Sequence, residues 1–412
     1  MRLIYTTMAR IPSEKAHPYQ IVQMCEAFAQ AGVDVTLLYR KHRNPTGLHT
    51  QDIWNYYGVE RNFHAEQLAG LNIYPLAERL PKALVRPYTA LAEALLIPTF
   101  NLSLLGRLAG ENEAVIYSRD PLSLYLIAVL WPQRAKRLFF EAHTFPFTGA
   151  GLWLRKKLAR RIGGVIVITR HLRERYEAIG VPPDRLLAVH DGFRPARFAI
   201  EGDRAYWRSR LGWPVGDFIV GYAGRFESVG GDKGLDLLGE AVAALSREGP
   251  ARLGLVGGPA ERVQRLRERL ARQGLPPDLI LYAGQVPPAD VPGYLRAFDV
   301  CAIASPYNEF FAYYTSPLKL FEYMASGSPL VATDLPSTAE IIHNGENGLL
   351  VPPGDPEAMA VALRWLRDEP ELGERLAKQA QQDVQAYTWE ARARRIVEMI
   401  SAHTSTEERY PR

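Results

Sequence analysis

The sequence predicts an α/β protein of two doubly wound, parallel-sheet domains in tandem, and three observations carry that expectation. At 412 residues the chain exceeds what one ordinary hydrophobic core supports. Short apolar strands alternate with amphipathic helices, the pattern of parallel crossover units. That alternation runs twice, interrupted by a Pro- and Gly-containing stretch near residues 193–215.

RLIYTTM (2–8) reads as the first strand, followed by a loop with Pro12, Ser13 and Pro18. A helix from about Tyr19 to Ala31 comes next, because Ile21, Met24, Cys25, Phe28 and Ala29 recur at helical spacing before Gly32. VDVTLLYR (33–40) is nearly all apolar, as a strand covered on both faces must be. Strand, helix, strand at this spacing is a right-handed parallel crossover. AVIYSRD (114–120), RLFFEAH (137–143), GVIVIT (164–169) and LLAVHDG (186–192) continue the first series. FIVGYAGR (218–225), ARLGLVGG (251–258), LILYAG (279–284), VCAIAS (300–305) and PLVATD (329–334) form the second. The expected domains are 1–195 and 196–387, with a last helix over 388–405 and a polar tail that frays.

Composition narrows the function. The N-terminus breaks its apolar stretch too early for a secretory signal, and no apolar run reaches the ~20 residues of a membrane span. Cys25 and Cys301 lie far apart, in apolar surroundings and without metal-ligand spacing, which points to buried thiols, a reducing compartment and a cytoplasmic location. Charge is divided unevenly: residues 1–200 hold 26 Lys and Arg against 16 Asp and Glu, and the other 212 hold 23 against 29. A basic first half suits a phosphorylated acceptor or the anionic inner face of a membrane; solvated surface cations are the equal alternative. No nucleic-acid module or aromatic–basic interleaving is present, which argues against nucleic acid. Residues 79–107, apolar and interrupted by prolines, and LWLRKKLARRIG (152–163) are candidates for an interfacial surface; the competing reading is core helices with basic outer faces.

The most informative stretch is TSPLKLFEYMASGSPLVATD (315–334). Ser316 as N-cap and Pro317 as first helical residue predict a helix start there, with Leu318, Leu320, Phe321 and Met324 as its buried stripe. A helix opening at the crevice of a doubly wound sheet offers free N–H groups and the positive end of its dipole to a diphosphate. Lys319 adds a point charge in the first turn, and Glu322 is a candidate acceptor for ribose hydroxyls, or else a solvent-facing helix residue. Upstream, GYAGRFESVGGDKG (221–234) delivers Arg225 and Lys233 around a glycine-rich turn, with Gly224 allowing close backbone approach. Two cations converging on one point suit a diphosphate that gains charge as it leaves. Neither glycine cluster is a dinucleotide fingerprint or a Walker loop.

With these motifs in view, the chain resembles the family-4 retaining glycosyltransferases over nearly its full length. VITRHLRERYEAIGVPPDRLLAVHDGFRPARF (167–198), GRF…KGLDLL, LVGGP, GQVPPADVPGYLRAFDVCAIAS and FEYMASGSPLVATDLPSTAEIIHNGENGLLVPPGD follow in that family's order. The resemblance implies a GT-B fold: two Rossmann-like domains facing a deep cleft, the first binding acceptor, the second donor, with the last helix bracing the first. It assigns Arg225 and Lys233 to the donor diphosphate, together with the Ser316–Leu318 backbone; Gly224 and Lys319 are further candidates for the same diphosphate. Glu322 is assigned to the ribose, Gln285 and Val286 to the base, and His143 to the transferred sugar. Ser13, Lys15, His17 and Arg119 are acceptor-binding candidates. The family often places two glutamates separated by seven residues; here Tyr314, not an acid, stands eight positions before Glu322, so Tyr314 and Thr315 are the candidates for reading the sugar. The Ser-Pro-Leu-Lys-Leu-Phe-Glu form resembles a branch of the family, and the opening loop lacks the Gly-Gly of many members.

The expected function is retaining transfer of a hexosyl group from a UDP- or GDP-sugar to a hydroxyl of a saccharide, sugar phosphate or lipid-linked acceptor. No metal site and no cofactor motif is evident. Two alternatives stay open: a nucleotide-sugar epimerase of the same architecture, and a catalytically silent nucleotide-sugar-binding protein.

Overall fold

A computed structural model describes the chain apart from residues 43–46, 75, 77–79, 147–148, 229–230 and 405–412. The polar tail therefore lies outside the described residues, as do Val229 and Gly230 of the predicted glycine-rich turn. Contacts divide the chain into two units: residues 1–168, 172–189 and 389 onward form the first, and residues 169–171 with 190–388 the second. The change of unit falls at Val189/His190, ahead of the 193–215 stretch.

The first unit is a seven-stranded parallel sheet. Its strands are β1 (Arg2–Thr7), β2 (Asp34–Arg40), β3 (His64–Leu68), β4 (Val115–Ser118), β5 (Leu138–Ala142), β6 (Gly164–Val167) and β7 (Leu186–Ala188), in the order β3-β2-β1-β4-β5-β6-β7. β4, β5 and β6 are buried along their whole length, which is why they read as nearly continuous apolar runs, interrupted by Ser118 in β4 and Glu141 in β5. The helices are α1 (Ala16–Gln30), α2 (Ile53–Tyr57), α3 (Lys82–Leu108), α4 (Pro121–Leu130), α5 (Gly149–Ala159) and α6 (Arg170–Ala178). α1 begins three residues before the expected start, at Ala16 with Lys15 as N-cap. Successive strands run first toward β3 and then back past β1 toward β7. Right-handed crossovers therefore put α1 and α2 on one face and α3, α4 and α5 on the other.

α3 departs from expectation. Pro87 and Pro98 do not break it, and it runs for 27 residues. Thr99 Oγ1 donates to the Leu95 carbonyl at 2.7 Å, and Asn101 Nδ2 to that of Ile97 at 2.8 Å. Ala92, Leu96, Phe100, Leu104 and Leu108 are buried in the unit. The opposite stripe (Leu84, Pro87, Leu91, Ala94, Pro98, Leu102) is exposed and apolar, where a basic outer face was one expectation. By length and composition α3 would also suffice to cross a membrane, against the expectation that no apolar run is long enough.

The second unit is a six-stranded parallel sheet with a small antiparallel hairpin. After α7 (Arg204–Leu211) come β8 (Phe218–Arg225), the hairpin strands β9 (Glu227–Ser228) and β10 (Gly231–Asp232), and α8 (Leu235–Ser246). Then follow β11 (Ala251–Gly258), α9 (Ala260–Ala271), β12 (Ile280–Gly284), α10 (Val291–Ala297), β13 (Val300–Ile303) and α11 (Glu309–Tyr313). α12 (Leu318–Ala325), β14 (Leu330–Thr333), α13 (Pro336–Ala339), β15 (Leu349–Val351), α14 (Pro356–Asp368) and α15 (Pro370–Asp383) complete it. The sheet order is β12-β11-β8-β13-β14-β15. β8, flanked by β11 and β13, is the switch point from which successive connections part to opposite faces; β1 holds the same place in the first unit. The last helix, α16 (Trp389–Thr404), belongs to the first unit and packs on α1. Cys25 and Cys301 are both buried free thiols.

The two sides of α3 make opposite predictions. Leu104→Ala removes a fully buried side chain and is expected to cost about 2–5 kcal/mol, whereas Leu91→Ala on the exposed stripe changes stability by no more than about 0.5 kcal/mol. Urea denaturation of the two variants measures both.

Candidate functional site

In the second unit the polar site grows from the C-terminal end of β8. Gly224 has φ 139°, and a β-carbon there would stand 2.6 Å from Lys319 Nζ, so only glycine leaves the ammonium its place. Lys319, in the first turn of α12, lies over the Tyr222 ring at 3.8 Å from its centroid and hydrogen-bonds the Tyr222 hydroxyl. That hydroxyl in turn donates to the Arg225 carbonyl at 2.8 Å. Lys233 follows the β9–β10 hairpin. Its backbone N–H donates to the Phe226 carbonyl, and its ammonium sits 5.6 Å from the centre of the Phe311 ring. Asp232 anchors this turn by accepting from the Gly234 N–H at 2.7 Å and pairing with Arg262.

Three cations thus share one neighbourhood. Burial pushes Lys319 well below the usual lysine range, and the Lys233 charge adds to this; Glu322 opposes it. Lys233 is lowered by burial and then by Arg225. Each lysine feels another cation, which is the electrostatic mark of a site prepared for an anion. Arg225 itself is exposed.

The structure places the neighbouring predicted residues as follows. Ser316 is not an N-cap: α12 starts at Leu318 with Pro317 as the capping position and no side-chain cap. The Ser316 hydroxyl accepts instead from the Asp191 N–H at 2.9 Å, a partner 125 residues away. Glu322 is not solvent-facing; it is partly buried and ion-paired to Arg197 at 3.2 Å. Burial raises its pKa, opposed by Arg197 and Lys319. Thr315 donates its hydroxyl to the Phe311 carbonyl at 3.0 Å, and Tyr314 is buried with its ring edge-on to His171, 5.9 Å between centroids. Gln285 is exposed just past β12, beside Gly258, and Val286 packs on the unit's apolar cluster.

In the first unit a second group forms near the ends of β1, β4 and β5. His143 Nε2 lies 2.6 Å from Glu141 Oε1. His17 is pushed down to about 2, by burial first and then by the charges of Arg119 and His143. It is therefore neutral, and its Nε2 is buried without a hydrogen-bond partner among the described residues. Arg119 donates to Gln20 Oε1 at 2.6 Å. Lys15 is among the charges His17 feels. Ser13 is held locally: its backbone bonds the Tyr57 hydroxyl, and its own hydroxyl donates to Glu14 and accepts from the Lys15 N–H.

Sequence reasoning missed four participants: Tyr222, Arg197, Glu141 and Arg392. Glu141 and Arg392 had a legible signal. Each is a charged residue in a stretch that is otherwise buried, FFEAH in β5 and the Trp389, Ala393, Ile396, Ile400 stripe of α16.

Residues 19–192 match the family model described as glycosyl transferase 4-like domain, and residues 217–369 that of glycosyl transferases group 1. The chain is a GT-B, glycosyltransferase-family-4-like protein. This GT-B chain is similar to D-inositol 3-phosphate glycosyltransferase of Thermomonospora curvata, 30% identical over 248 residues, covering 57% of this chain and 55% of the relative. The protein of the same name from Corynebacterium efficiens is 31% identical over 233 residues, covering 55% and 53%. The chain spans about half the length of the curated relatives it matches. Among solved structures, Anabaena HepE in complex with UDP superposes with a TM-score of 0.72 at 18% identity, covering 98% of this chain and 100% of that one. Sucrose-phosphate synthase from Thermosynechococcus elongatus gives 0.72 at 22%, covering 98% and 99%. These likenesses show the fold.

The ion pair between Glu141 and Arg392 is fully buried, with side-chain exposures of 0% and 1%. Arg392→Met leaves the carboxylate without its countercharge and is expected to cost about 3–5 kcal/mol by chemical denaturation. Burial alone would raise the Glu141 pKa, but Arg392, the His143 contact and Arg119 outweigh it and hold it well below the carboxylate range. The stability this contributes is complete above the unfolded value of about 4.3 and is lost as pH falls through the lower folded value. Glu141→Gln should therefore flatten the acid limb of the stability curve below about pH 4.3.

Proposed function

We propose that the protein is a retaining glycosyltransferase that moves a hexosyl group from a nucleoside-diphosphate sugar to an acceptor hydroxyl. The observation that carries this is the convergence of Arg225, Lys233 and Lys319 at the switch point of the second sheet, beside the start of α12. Three cations match a diphosphate, whose charge grows as the bond to the anomeric carbon breaks. The acceptor oxygen bonds to that carbon on the same face, and its proton passes to the departing diphosphate oxygen. His143 addresses the transferred sugar, and Glu322, oriented by Arg197, the ribose. Gln285 and Val286 meet the base, Tyr314 and Thr315 read the sugar, and Lys15, His17 and Arg119 meet the acceptor in the first unit. UDP is the favoured nucleotide, since HepE is described with UDP and with UDP-glucose. Relatives named for inositol 3-phosphate, together with the basic first half, favour a phosphorylated acceptor.

Two measurements test this reading. Arg225→Ala should lower kcat by roughly a hundredfold or more, assayed as acceptor-dependent release of nucleoside diphosphate. Turnover of the sugar nucleotide without acceptor would point to an epimerase, and tight binding without turnover to a silent binder. The lowered lysines give a second outcome: a bound diphosphate favours their charged forms, so UDP binding should be accompanied by net proton uptake at pH values below the ordinary lysine range. Calorimetry in buffers of different ionisation enthalpy reads that uptake.

The exposed apolar surface supports a further partner, an anionic membrane surface. Besides the α3 stripe, Leu122, Val129 and Leu130 of α4 and Trp153 of α5 are exposed, and Trp153 packs edge-on to Tyr125 of α4. Lys156, Lys157, Arg160 and Arg161 are exposed beside them. Apolar side chains ringed by cations suit an anionic bilayer surface. The protein should co-sediment with phosphatidylglycerol vesicles and not with pure phosphatidylcholine, and Leu91→Glu with Trp153→Ala should weaken that at least tenfold.

A further inference from the structure

Five side chains bond the Glu141 carboxylate, and this hydrogen-bond arithmetic fixes the state of its neighbours. Oε1 accepts from Gln20 Nε2 at 2.6 Å and Arg392 Nη2 at 2.8 Å. Oε2 accepts from the Tyr117 hydroxyl at 2.7 Å and, more weakly, that of Tyr5 at 3.3 Å. The orientation of Gln20 is itself determined: Arg119, which can only donate, bonds its Oε1, so its amide nitrogen faces Glu141. Oε1 therefore meets two obligate donors and carries no proton. His143 Nε2, 2.6 Å from that same oxygen, must then be the protonated nitrogen.

This arrangement is built rather than incidental. In the parallel register Tyr5 lies opposite Tyr117, Tyr117 opposite Phe139, and Glu141 two residues beyond Phe139 on the same face. α1 supplies Gln20 and α16 supplies Arg392, whose guanidinium also bonds the Val189 carbonyl. Five donors from across the unit surround one carboxylate with no apolar alternative for it. A structural anchor needs only the tyrosines and Arg392. Holding a partly exposed imidazole two residues further along the chain adds a function that packing does not require.

We propose that Glu141 is a positioning residue: paired with Arg392 of the C-terminal helix, it holds the His143 ring in one orientation with its proton on Nε2. This is the role a buried carboxylate plays for a working histidine in hydrolases and metal sites, where loss of the partner lets the ring turn and change tautomer. It also gives α16 a part in the chemistry, since the last helix carries the countercharge for the group that orients His143. The inference rests on the transferase reading for what His143 acts upon, but its tautomer does not.

The test has two arms. Nitrogen-15 NMR of the histidine side chains in the whole protein, without ligand, should show His143 protonated on Nε2, and Glu141→Gln should give a mixture of tautomers. A wild-type ring protonated on Nδ1 alone would overturn the proposal even if no transferase activity is ever found. In turnover assays Glu141→Gln should lower kcat roughly 10–100-fold with the donor KM changed less than about twofold. In a His143→Ala background the same change should add nothing, because Glu141 acts through the ring. An equal further fall in that background, or full kcat in the single variant, sinks the idea. Absence of turnover in the wild type would instead count against the transferase reading and leave the NMR arm to decide this one.

Discussion

Right-handed crossovers impose a constraint on any parallel sheet whose strand order reverses. At one strand the connecting helices part to opposite faces, and the loops beyond its carboxyl end cannot be covered by either layer. β1 and β8 are those strands here. Arg225 ends β8 and Lys233 follows the hairpin just beyond it, with Lys319 of α12 alongside, while in the first unit His143 and Arg119 stand just past β5 and β4, next along the sheet from β1.

The two units treat charge at that point in contrasting ways. In the first, Glu141 is wholly satisfied: donors fill its oxygens and Arg392 balances it, so the carboxylate stays ionised at full burial. In the second, Lys233 and Lys319 are held near each other and near Arg225, with Tyr222 and Phe311 rings rather than carboxylates as their main neighbours. A ring face stabilises an ammonium without neutralising it. The first arrangement is complete as it stands, and the second has positive charge in reserve.

Much of the organisation was legible in sequence for simple reasons. Nearly continuous apolar strand runs announced parallel sheets, and the GYAGRFESVGGDKG and SPLKLFE segments carried the cations that share one neighbourhood. Errors arose where local rules met distant partners. Ser316 has ideal capping chemistry, yet its hydroxyl is taken by the N–H of Asp191, so α12 begins later. Pro87 and Pro98 signal breaks, yet α3 continues, because one side of the helix is pinned by Phe100 and Leu104 in the core. Glu322 lost its solvent-facing reading to Arg197, 125 residues earlier.

Sequence by itself determined the two-sheet α/β architecture, since hydrophobic period is a property of neighbouring residues and survives any folding of the rest. It also determined which residue types stand at the strand ends. Tertiary structure alone decided which of them act together: that Lys319 reaches past Gly224 to Tyr222, and that an arginine near the end of the chain balances a glutamate in β5. Pairings of that kind depend on where backbones come to lie in three dimensions, and hydrogen bonds a few ångströms long cannot be read from positions 97 or 251 residues apart.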